Sequence, residues 1–317
     1  MNLIRLLNLA AFASLLTNAS LGQTAPASPG QTSPLERAID QSTKARCQEA
    51  LPVLKKLAGG VTDKQLKYRA LLATVRCGLN RKEDQTTANA LFELKRDFPE
   101  DPQVLYMTSQ VFLEIAERAS TELASSAPES YQAKELQAET FESQEKWADA
   151  AMIYTKILEE NPKLRGIHYR LARAALSQPD LPNSSEEAKK EFAQELTIDP
   201  YNAAAEFWLG ELARREGQWD AAISHFTAAG KIDPTFGDAF LALGTALNSA
   251  GKYEDAIPQL QHFIKIAPSD PAGHYQLAMS FARTNRRDDS IRELALQRQL
   301  AEKQQAAADA RSNPKPH

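Results

Sequence analysis

A step of 34 residues repeats through the second half of the chain. Aligning residues 203–235 with residues 237–269 pairs Leu209 with Leu243, Gly210 with Gly244, Gly217 with Gly251, Ala222 with Ala256 and Pro234 with Pro268. A period of this size is typical of stacked helix–turn–helix units, each of which packs only on its neighbours. The period therefore predicts an all-α array, and it favours binding over catalysis.

The residues at each position of the period resemble the tetratricopeptide repeat. With Ala203 as position 1, Leu209 and Gly210 stand at positions 7 and 8, Gly217 at position 15 and Pro234 at position 32. Small residues at positions 8, 20 and 27 let two helices cross closely. Glycine at position 15 can adopt the left-handed conformation that ends the first helix, and proline at position 32 stops the second. The resemblance implies a right-handed superhelical array (α-solenoid) of helix–turn–helix hairpins.

The same register predicts five units, at residues 131–164, 165–202, 203–236, 237–270 and 271–302. The second of these carries four extra residues in its inter-helix turn, near residues 177–185. The last has Asn285, Ser290 and Glu302 in place of the turn glycine, the alanine and the proline, as expected for a terminal unit that faces water. Residues 303–317 are polar, and we expect a disordered tail there.

The first 33 residues differ from the rest of the chain. Arg5 precedes a nearly apolar stretch at residues 6–16, and small residues follow up to Gly22. This order is typical of a secretory signal peptide at residues 1–22, cleaved after Ala19 or Gly22. The apolar stretch is too short to span a bilayer, so we expect an exported protein, periplasmic or secreted, with no membrane span after signal removal. Residues 23–33 are rich in Pro, Ser, Thr and Gln and predict a disordered lead-in.

Residues 34–130 are predicted to form degenerate helical hairpins related to the repeats. Apolar residues recur with a spacing near 3.6 in residues 66–79 and 87–98, which predicts one hairpin. Residues 104–126 are predicted to form another hairpin with a shortened turn. The 34-residue register is not extended before residue 131.

The chain has two cysteines, Cys47 and Cys77, both in this N-terminal region. In an oxidising compartment a disulfide between them would close a loop of about 30 residues and stabilise the fold by about 3–4 kcal/mol. The alternative is a pair of buried thiols on separate helices, because cysteine is a common core residue. The C-x-x-C spacing of redox catalysts is absent.

No sequence motif predicts a catalytic residue, a metal site or a cofactor. The chain lacks H-E-x-x-H, G-x-S-x-G, the phosphate-binding G-x-x-x-x-G-K and the dinucleotide fingerprint. His168 and His274 stand at position 4 of their units, where the family packs an aromatic side chain, so we expect packing rather than metal binding. The formal net charge of −4 provides no overall positive field, and we therefore expect no nucleic acid among the partners.

In tetratricopeptide proteins, positions 2, 5, 6, 9, 12 and 13 of the first helix tend to line a groove. The resemblance makes these residues candidates for a ligand groove: Tyr169, Arg170, Arg173, Phe207, Trp208, Arg214, Leu241 and Tyr275. Aromatic side chains beside arginine are typical of interface hot spots. The alternative is that Phe207 and Trp208 pack against the adjacent unit and compensate for Glu206 at position 4. The Lys and Asn set that clamps a peptide's terminal carboxylate in some family members is missing.

The resemblance implies a scaffold that binds a protein or peptide in this groove, with no catalysis of its own. One alternative is an accessory or enzyme-like module that acts on or binds envelope polysaccharide or peptidoglycan, since aromatic side chains stack on sugars. Against it, no carboxylate pair stands out among the many surface acids, as glycoside hydrolysis requires. Another alternative is a structural protein that self-associates.

Overall fold

The computed structural model describes residues 33–178 and 183–312, with side chains up to residue 309. The predicted signal peptide (1–22) and nearly all of the predicted lead-in (23–33) lie outside the described residues, as do residues 313–317. Within the described ranges every regular element is a helix, so the all-α prediction is confirmed. The chain divides into two compact units, residues 1–118 and 119–317.

The N-terminal unit begins with a capped helix. Its elements are α1 (Pro34–Thr43), α2 (Cys47–Leu57), a short 3-10 helix (Ala58–Gly60), α3 (Lys64–Arg81), α4 (Asp84–Asp97) and α5 (Pro102–Ser126), which crosses the division. The Ser33 hydroxyl accepts a hydrogen bond from the Glu36 amide, and the Glu36 carboxylate accepts one from the Ser33 amide. This capping box satisfies two amides that the first turn would leave unpaired. The helix then packs on both α2 and α3.

A disulfide between Cys47 and Cys77 joins α2 to α3. Both cysteines are buried in the core of the N-terminal unit, together with Leu51, Leu54 and Leu71. Of the two alternatives for the cysteines, the structure therefore contains the bridge. The cross-link holds α2 against α3 by a covalent bond, in addition to the apolar packing around it.

The backbone conformation of the turns in the N-terminal unit shows how its helices align with the 34-residue repeat, which the sequence alone does not show. Ala45, between α1 and α2, and Lys82, between α3 and α4, have left-handed φ angles of 60° and 58°. In the repeats, Gly217 and Gly251 adopt this conformation at position 15. Taking Lys82 as position 15 places these residues at positions 20, 24, 27 and 32: Thr87, Leu91, Leu94 and Pro99. The first three are buried, as the corresponding repeat positions require, so α3 and α4 form a hairpin in repeat register.

The predicted hairpin at residues 104–126 is wrong, because α5 is one continuous helix of 25 residues. After Pro102 this segment contains neither glycine nor proline, so no residue interrupts the helical backbone. Val104 and Val111 are its buried residues. An ion pair between Arg118 on α5 and Asp84 at the start of α4 holds the helix to its neighbour.

The C-terminal unit is an α-solenoid of five helix pairs. The pairs are α6 (Tyr131–Ser143) with α7 (Trp147–Glu160), α8 (Ile167–Leu176) with α9 (Ser184–Ile198), α10 (Ala203–Arg215) with α11 (Trp219–Ile232), α12 (Gly237–Ser249) with α13 (Tyr253–Ile266), and α14 (Pro271–Arg283) with α15 (Arg287–Ser312). The second helix of each of the first four pairs also packs on the first helix of the next pair.

Small residues set the close crossing of the two helices in a pair. Gly210 on α10 faces the fully buried Phe226 on α11, and a Cβ at Gly210 would lie 2.6 Å from the ring. The left-handed turn between the helices is also shared by units without a glycine, since Glu145 and Asn285 have φ angles of 59° and 60°. A side chain in this conformation costs about 1–2 kcal/mol. The pair geometry therefore imposes the turn conformation whatever residue occupies it.

The expected disordered tail at residues 303–317 is wrong for residues 303–312, which continue α15 to Ser312. This stretch contains four alanines and two glutamines, both strong helix formers, and no glycine or proline occurs before Pro314. The Gln304 side-chain amide donates a 3.1 Å hydrogen bond to the Ser269 carbonyl, which holds the extension to the turn between α13 and α14.

Candidate functional site

The first helices of the five pairs form one surface of the C-terminal unit, called here the groove surface. Arg170 on α8 pairs with Glu139 on α6. The side-chain amide of Asn248 on α12 donates a 3.0 Å hydrogen bond to the carbonyl of Gln276 on α14, and α10 packs on α12. The predicted groove residues all lie on α8, α10, α12 and α14, which brings them to this surface by register.

Arg170 is neutralised by acids of the preceding unit. Its guanidinium pairs with Glu139 and lies 3.4 Å from Glu135 and 3.7 Å from Glu142. The Tyr154 hydroxyl donates a 3.0 Å hydrogen bond to Glu142, and burial together with that carboxylate raises the pKa of Tyr154 well above its usual value. Burial opposes the charge on Arg170, but Tyr154 and Glu139 outweigh it and raise the pKa of the guanidinium. The side chain thus joins α8 to α6 and is not free for a ligand.

Three of the predicted aromatic residues pack against other rings. Trp208 stacks on the buried Phe192 with ring planes 2° apart and centroids 6.4 Å apart. The ring centroid of Tyr169 lies 5.6 Å from that of the same Phe192. Phe207 lies 5.1 Å from the ring of Phe236. These rings are half-buried. Trp208 contacts the preceding unit, as the packing alternative expects, whereas the ring contacts of Phe207 lie within its own unit, and part of each ring still reaches the surface.

The remaining predicted residues differ in how accessible they are. Leu241 packs on the core around α12 and α13. Arg214 forms two hydrogen bonds to Glu211, of 3.0 and 2.8 Å, and this pairing raises its pKa. Arg173 is half-exposed and has no ion-pair partner among the residues that the structure describes.

Tyr275 is the predicted residue that stays most open to solvent. Its side chain is 47% exposed, and that of Met279, one turn further along α14, is 38% exposed. Phe207 stands at the same position 5 two units earlier, and it is covered by Phe236 at position 34. In the last unit position 34 is Gln304, which is turned to the Ser269 carbonyl. The first helix of the last pair, α14, therefore presents an aromatic and a thioether side chain on the groove surface.

The histidines at position 4 contact acids on the second helix of their own unit. Nδ1 of each imidazole lies 2.6–2.7 Å from a carboxylate at the same two repeat positions in three pairs: His168 with Glu191, Glu206 with His225, and His274 with Glu293. In the middle pair the acid and the imidazole have exchanged helices. The described residues contain no group of three or more His, Cys, Asp or Glu side chains that could hold a metal ion.

A fully buried carboxylate caps the start of α8. Glu195 on α9 accepts hydrogen bonds from the amides of Gly166, at 2.8 Å, and Tyr169, at 3.3 Å. Both amides belong to the first turn of α8, where no helical carbonyl can pair with them. The acid therefore fixes the direction of the helix that carries Tyr169, Arg170 and Arg173.

Models of the tetratricopeptide repeat match the chain in two overlapping stretches, residues 169–235 and residues 213–275. The chain contains tetratricopeptide repeats. The matches extend from α8 into α14, the same region in which the 34-residue step and the small-residue crossings occur. The tetratricopeptide fold is a scaffold for protein–protein interaction.

The similar proteins match this chain over part of its length. The small glutamine-rich tetratricopeptide repeat-containing protein 2 of Mycosarcoma maydis is 42% identical over 64 residues, which cover 20% of this chain and 18% of that relative. Among solved structures, YrrB, a tetratricopeptide protein with an unusual peptide-binding site, superposes with a TM-score of 0.51 at 18% identity. The match covers 62% of this chain and 98% of YrrB. A double mutant of MamA RS-1 gives a TM-score of 0.50 at 15% identity over 56% of this chain and 97% of its own. At these identities the solved structures show the fold alone.

Three accessible side chains on groove positions of the repeats are not among the predicted groove residues. They are Met279 at position 9 and Arg215 and Arg283 at position 13. The register that selected Tyr275 would also have found them, because positions 9 and 13 were already known to line the groove in the family. Among the described helices, none is long and apolar enough to cross a membrane.

Proposed function

We propose that this protein is an exported adaptor that binds a segment of a partner protein on the groove surface and has no catalytic activity of its own. The observation that carries the proposal is the exposure of Tyr275 and Met279 at positions 5 and 9 of α14. Tyr275 and Met279 lie one turn apart on groove positions, and neighbouring exposed apolar side chains of this kind are typical of sites where a partner docks. The likeness to YrrB, which has a peptide-binding site, supports a peptide as the bound element.

Two features support export. The order of charged, apolar and small residues in residues 1–22 is that of a signal peptide. The bridge between Cys47 and Cys77 agrees with an oxidising compartment, where structural disulfides form and persist. Expression of the full chain followed by cell fractionation and N-terminal sequencing tests this part. A mature protein that begins after Ala19 or Gly22 in the exported fraction supports export, and an intact Met1 in the cytosol contradicts it.

The binding role is tested by affinity co-purification of the mature chain from an extract of the cell envelope, beside a Tyr275→Ala, Met279→Ala variant. A protein recovered by the wild type and lost by the variant supports the adaptor. Trp208 is left unchanged, because it stacks on Phe192 and its removal would disturb the fold.

The matched control is Tyr201→Ala, Met152→Ala, which removes the same two residue types at exposed positions away from the first helices. Tyr201 is 78% exposed in the turn before α10, and Met152 is 53% exposed on α7. The control should retain the partner. Loss of the partner from both variants, or from neither, would contradict binding at the groove surface.

A further inference from the structure

Several arginines on the groove surface lack a carboxylate partner among the described residues. Arg173 at position 9 and Arg215 and Arg283 at position 13 form no ion pair with any residue that the structure describes. Arg283 lies with its guanidinium 6.0 Å from the centre of the Tyr253 ring, a cation–π contact that leaves its charge uncompensated. Arg215 and Arg283 are exposed, and Arg173 is half-exposed.

The acidic side chains on the same surface either pair with an arginine or lie in the first turn of a helix. Glu211 is occupied by Arg214, and Asp238 lies in the first turn of α12, where a negative charge complements the helix dipole. The acids of α6, which include Glu135 and Glu139, face Arg170. From α8 to α14 the uncompensated side chains on groove positions are therefore mostly cationic, although the chain as a whole has a net charge of −4.

Beyond Asp238, the helix α12 between the arginines is uncharged and partly apolar. On α12 the groove positions 5, 6 and 9 are Leu241, Ala242 and Thr245, all half-buried. Exposed Tyr275 and Met279 lie on the next helix, α14, together with Arg283. The surface thus alternates cationic side chains with apolar ones, and apolar anchors beside arginine fit a ligand that carries acidic and apolar residues together.

We infer that the groove surface of α8 to α14 selects an acidic peptide segment with interspersed aromatic or aliphatic residues, whose carboxylates pair with Arg173, Arg215 and Arg283. This inference deepens the proposed function and rests on it. The apolar residues of the peptide contact Tyr275 and Met279, while its acids supply the partners that the arginines lack within the chain.

The test is a selection of 12-residue peptides from a random displayed library on the immobilised mature chain. The selected pool should be enriched in Asp and Glu, accompanied by aromatic or aliphatic residues. A synthetic, fluorescently labelled peptide from the pool should bind the wild type and bind Arg215→Glu, Arg283→Glu about tenfold more weakly at low salt. The difference should shrink as salt is raised, because exposed ion pairs are screened.

The matched control is Lys231→Glu, Lys265→Glu, which changes the net charge by the same amount. Lys231 and Lys265 stand in the last turns of α11 and α13, and Arg215 and Arg283 are the last residues of α10 and α14. Reversing either pair of charges therefore has a similar unfavourable interaction with the helix dipoles. Both variants are exposed substitutions, and circular dichroism checks their fold. The control should bind the peptide as the wild type does.

The outcomes separate this inference from the proposed function. Selected peptides that are neutral or basic, and that Tyr275→Ala, Met279→Ala no longer binds, overturn the acidic preference and leave the groove function in place. Acidic peptides that the two charge-reversal variants bind equally well overturn the assignment to Arg215 and Arg283. A selection that enriches no peptide overturns the inference and counts against peptide binding as well.

Discussion

Both units contain a close helix crossing at a glycine, Gly78 facing Thr87 and Gly210 facing Phe226, but the N-terminal unit adds a disulfide. In the C-terminal array, Gly210 lets α10 approach α11 until the ring of Phe226 fills the crossing. In the N-terminal unit, Cys47 and Cys77 join α2 to α3 covalently. An array can rely on small-residue crossings because every pair is also buried by its neighbours. A short run of degenerate hairpins has fewer neighbours, and the disulfide compensates by restricting the unfolded chain.

The largest expected effect comes from removing the bridge. Cys47→Ala, Cys77→Ala should destabilise the N-terminal unit by about 3–4 kcal/mol, the value for a closed loop of about 30 residues. Hydrogen exchange followed by mass spectrometry should show faster exchange in α1 to α4 and unchanged exchange in α10 to α13. A reducing agent should reproduce the effect in the wild type and do nothing to the variant. An equal increase in hydrogen exchange in both units would contradict a stabilisation that is confined to the N-terminal unit.

Adding a methyl group where two helices cross should have the next largest effect on stability, and this effect should be confined to the array. Gly210→Ala places a methyl group 2.6 Å from the Phe226 ring, and the forced shift should cost about 2–3 kcal/mol. Urea unfolding followed by tryptophan fluorescence measures this, because the three tryptophans, at positions 147, 208 and 219, all lie in the C-terminal unit.

The control for this crowding is Gly60→Ala in the N-terminal unit, and circular dichroism follows the unfolding of both variants because this unit has no tryptophan. A Cβ at Gly60 would meet no atom within 4 Å, so the substitution should leave stability nearly unchanged. If Gly210→Ala proved as neutral as Gly60→Ala, the crossing would not be set by the small residue.

The shared left-handed turn predicts a smaller effect of the same sign in both units. Lys82→Gly and Glu145→Gly relieve a side chain held at φ angles of 58° and 59°. The gain in stability should be up to about 1 kcal/mol, because glycine's greater unfolded-state freedom offsets part of the relief. Gly217→Ala, at a φ of 72°, should lose a similar amount. Thermal unfolding of the three variants measures the changes, and a loss of stability in Lys82→Gly would contradict the shared turn.

The smallest effect is a pH dependence that belongs to the N-terminal unit. Hydrogen bonds from Arg96 and Lys67 hold the pKa of Asp97 at about 2, below its usual 3.8. Because the folded carboxyl releases its proton more readily than the unfolded one, its stabilisation is present above about pH 4 and is lost as the pH falls towards 2. Exposed ion pairs contribute at most about 1 kcal/mol. Urea unfolding at pH 5 and pH 2.5 should show a smaller change for Asp97→Asn than for the wild type, and equal changes would contradict the assignment.

The fold of the array could be predicted well because its signals are local. Gly217 and Gly251 favour the left-handed turn, and the prolines that follow each second helix stop it, so residue type alone identifies the period. Ala45 and Lys82 adopt the same turn without favouring it, and their register became visible only from the backbone. The continuous α5 and the extended α15 were missed for the opposite reason, since an absence of helix breakers is a weaker signal than a breaker in its expected place.

The candidate site was predictable by position and not by accessibility. Register alone placed Trp208 and Tyr275 on the groove surface. Their accessibility depends on residues far along the chain: Phe192 covers Trp208, and Gln304 stands where an aromatic would cover Tyr275. Likewise Arg170 and Arg173 are three residues apart, yet the acids of α6 neutralise the first and leave the second unpaired.

The sequence by itself determined that this protein contains an all-α repeat array, because period, turn glycines and stopping prolines act within one unit, and the resemblance to the tetratricopeptide repeat supplied the positions expected to line the groove. The tertiary structure decided which of those positions remain open, that the two cysteines meet, and that non-glycine residues close four of the six left-handed turns described above. Those properties depend on side chains from neighbouring units, and their contacts are formed only when the helices pack.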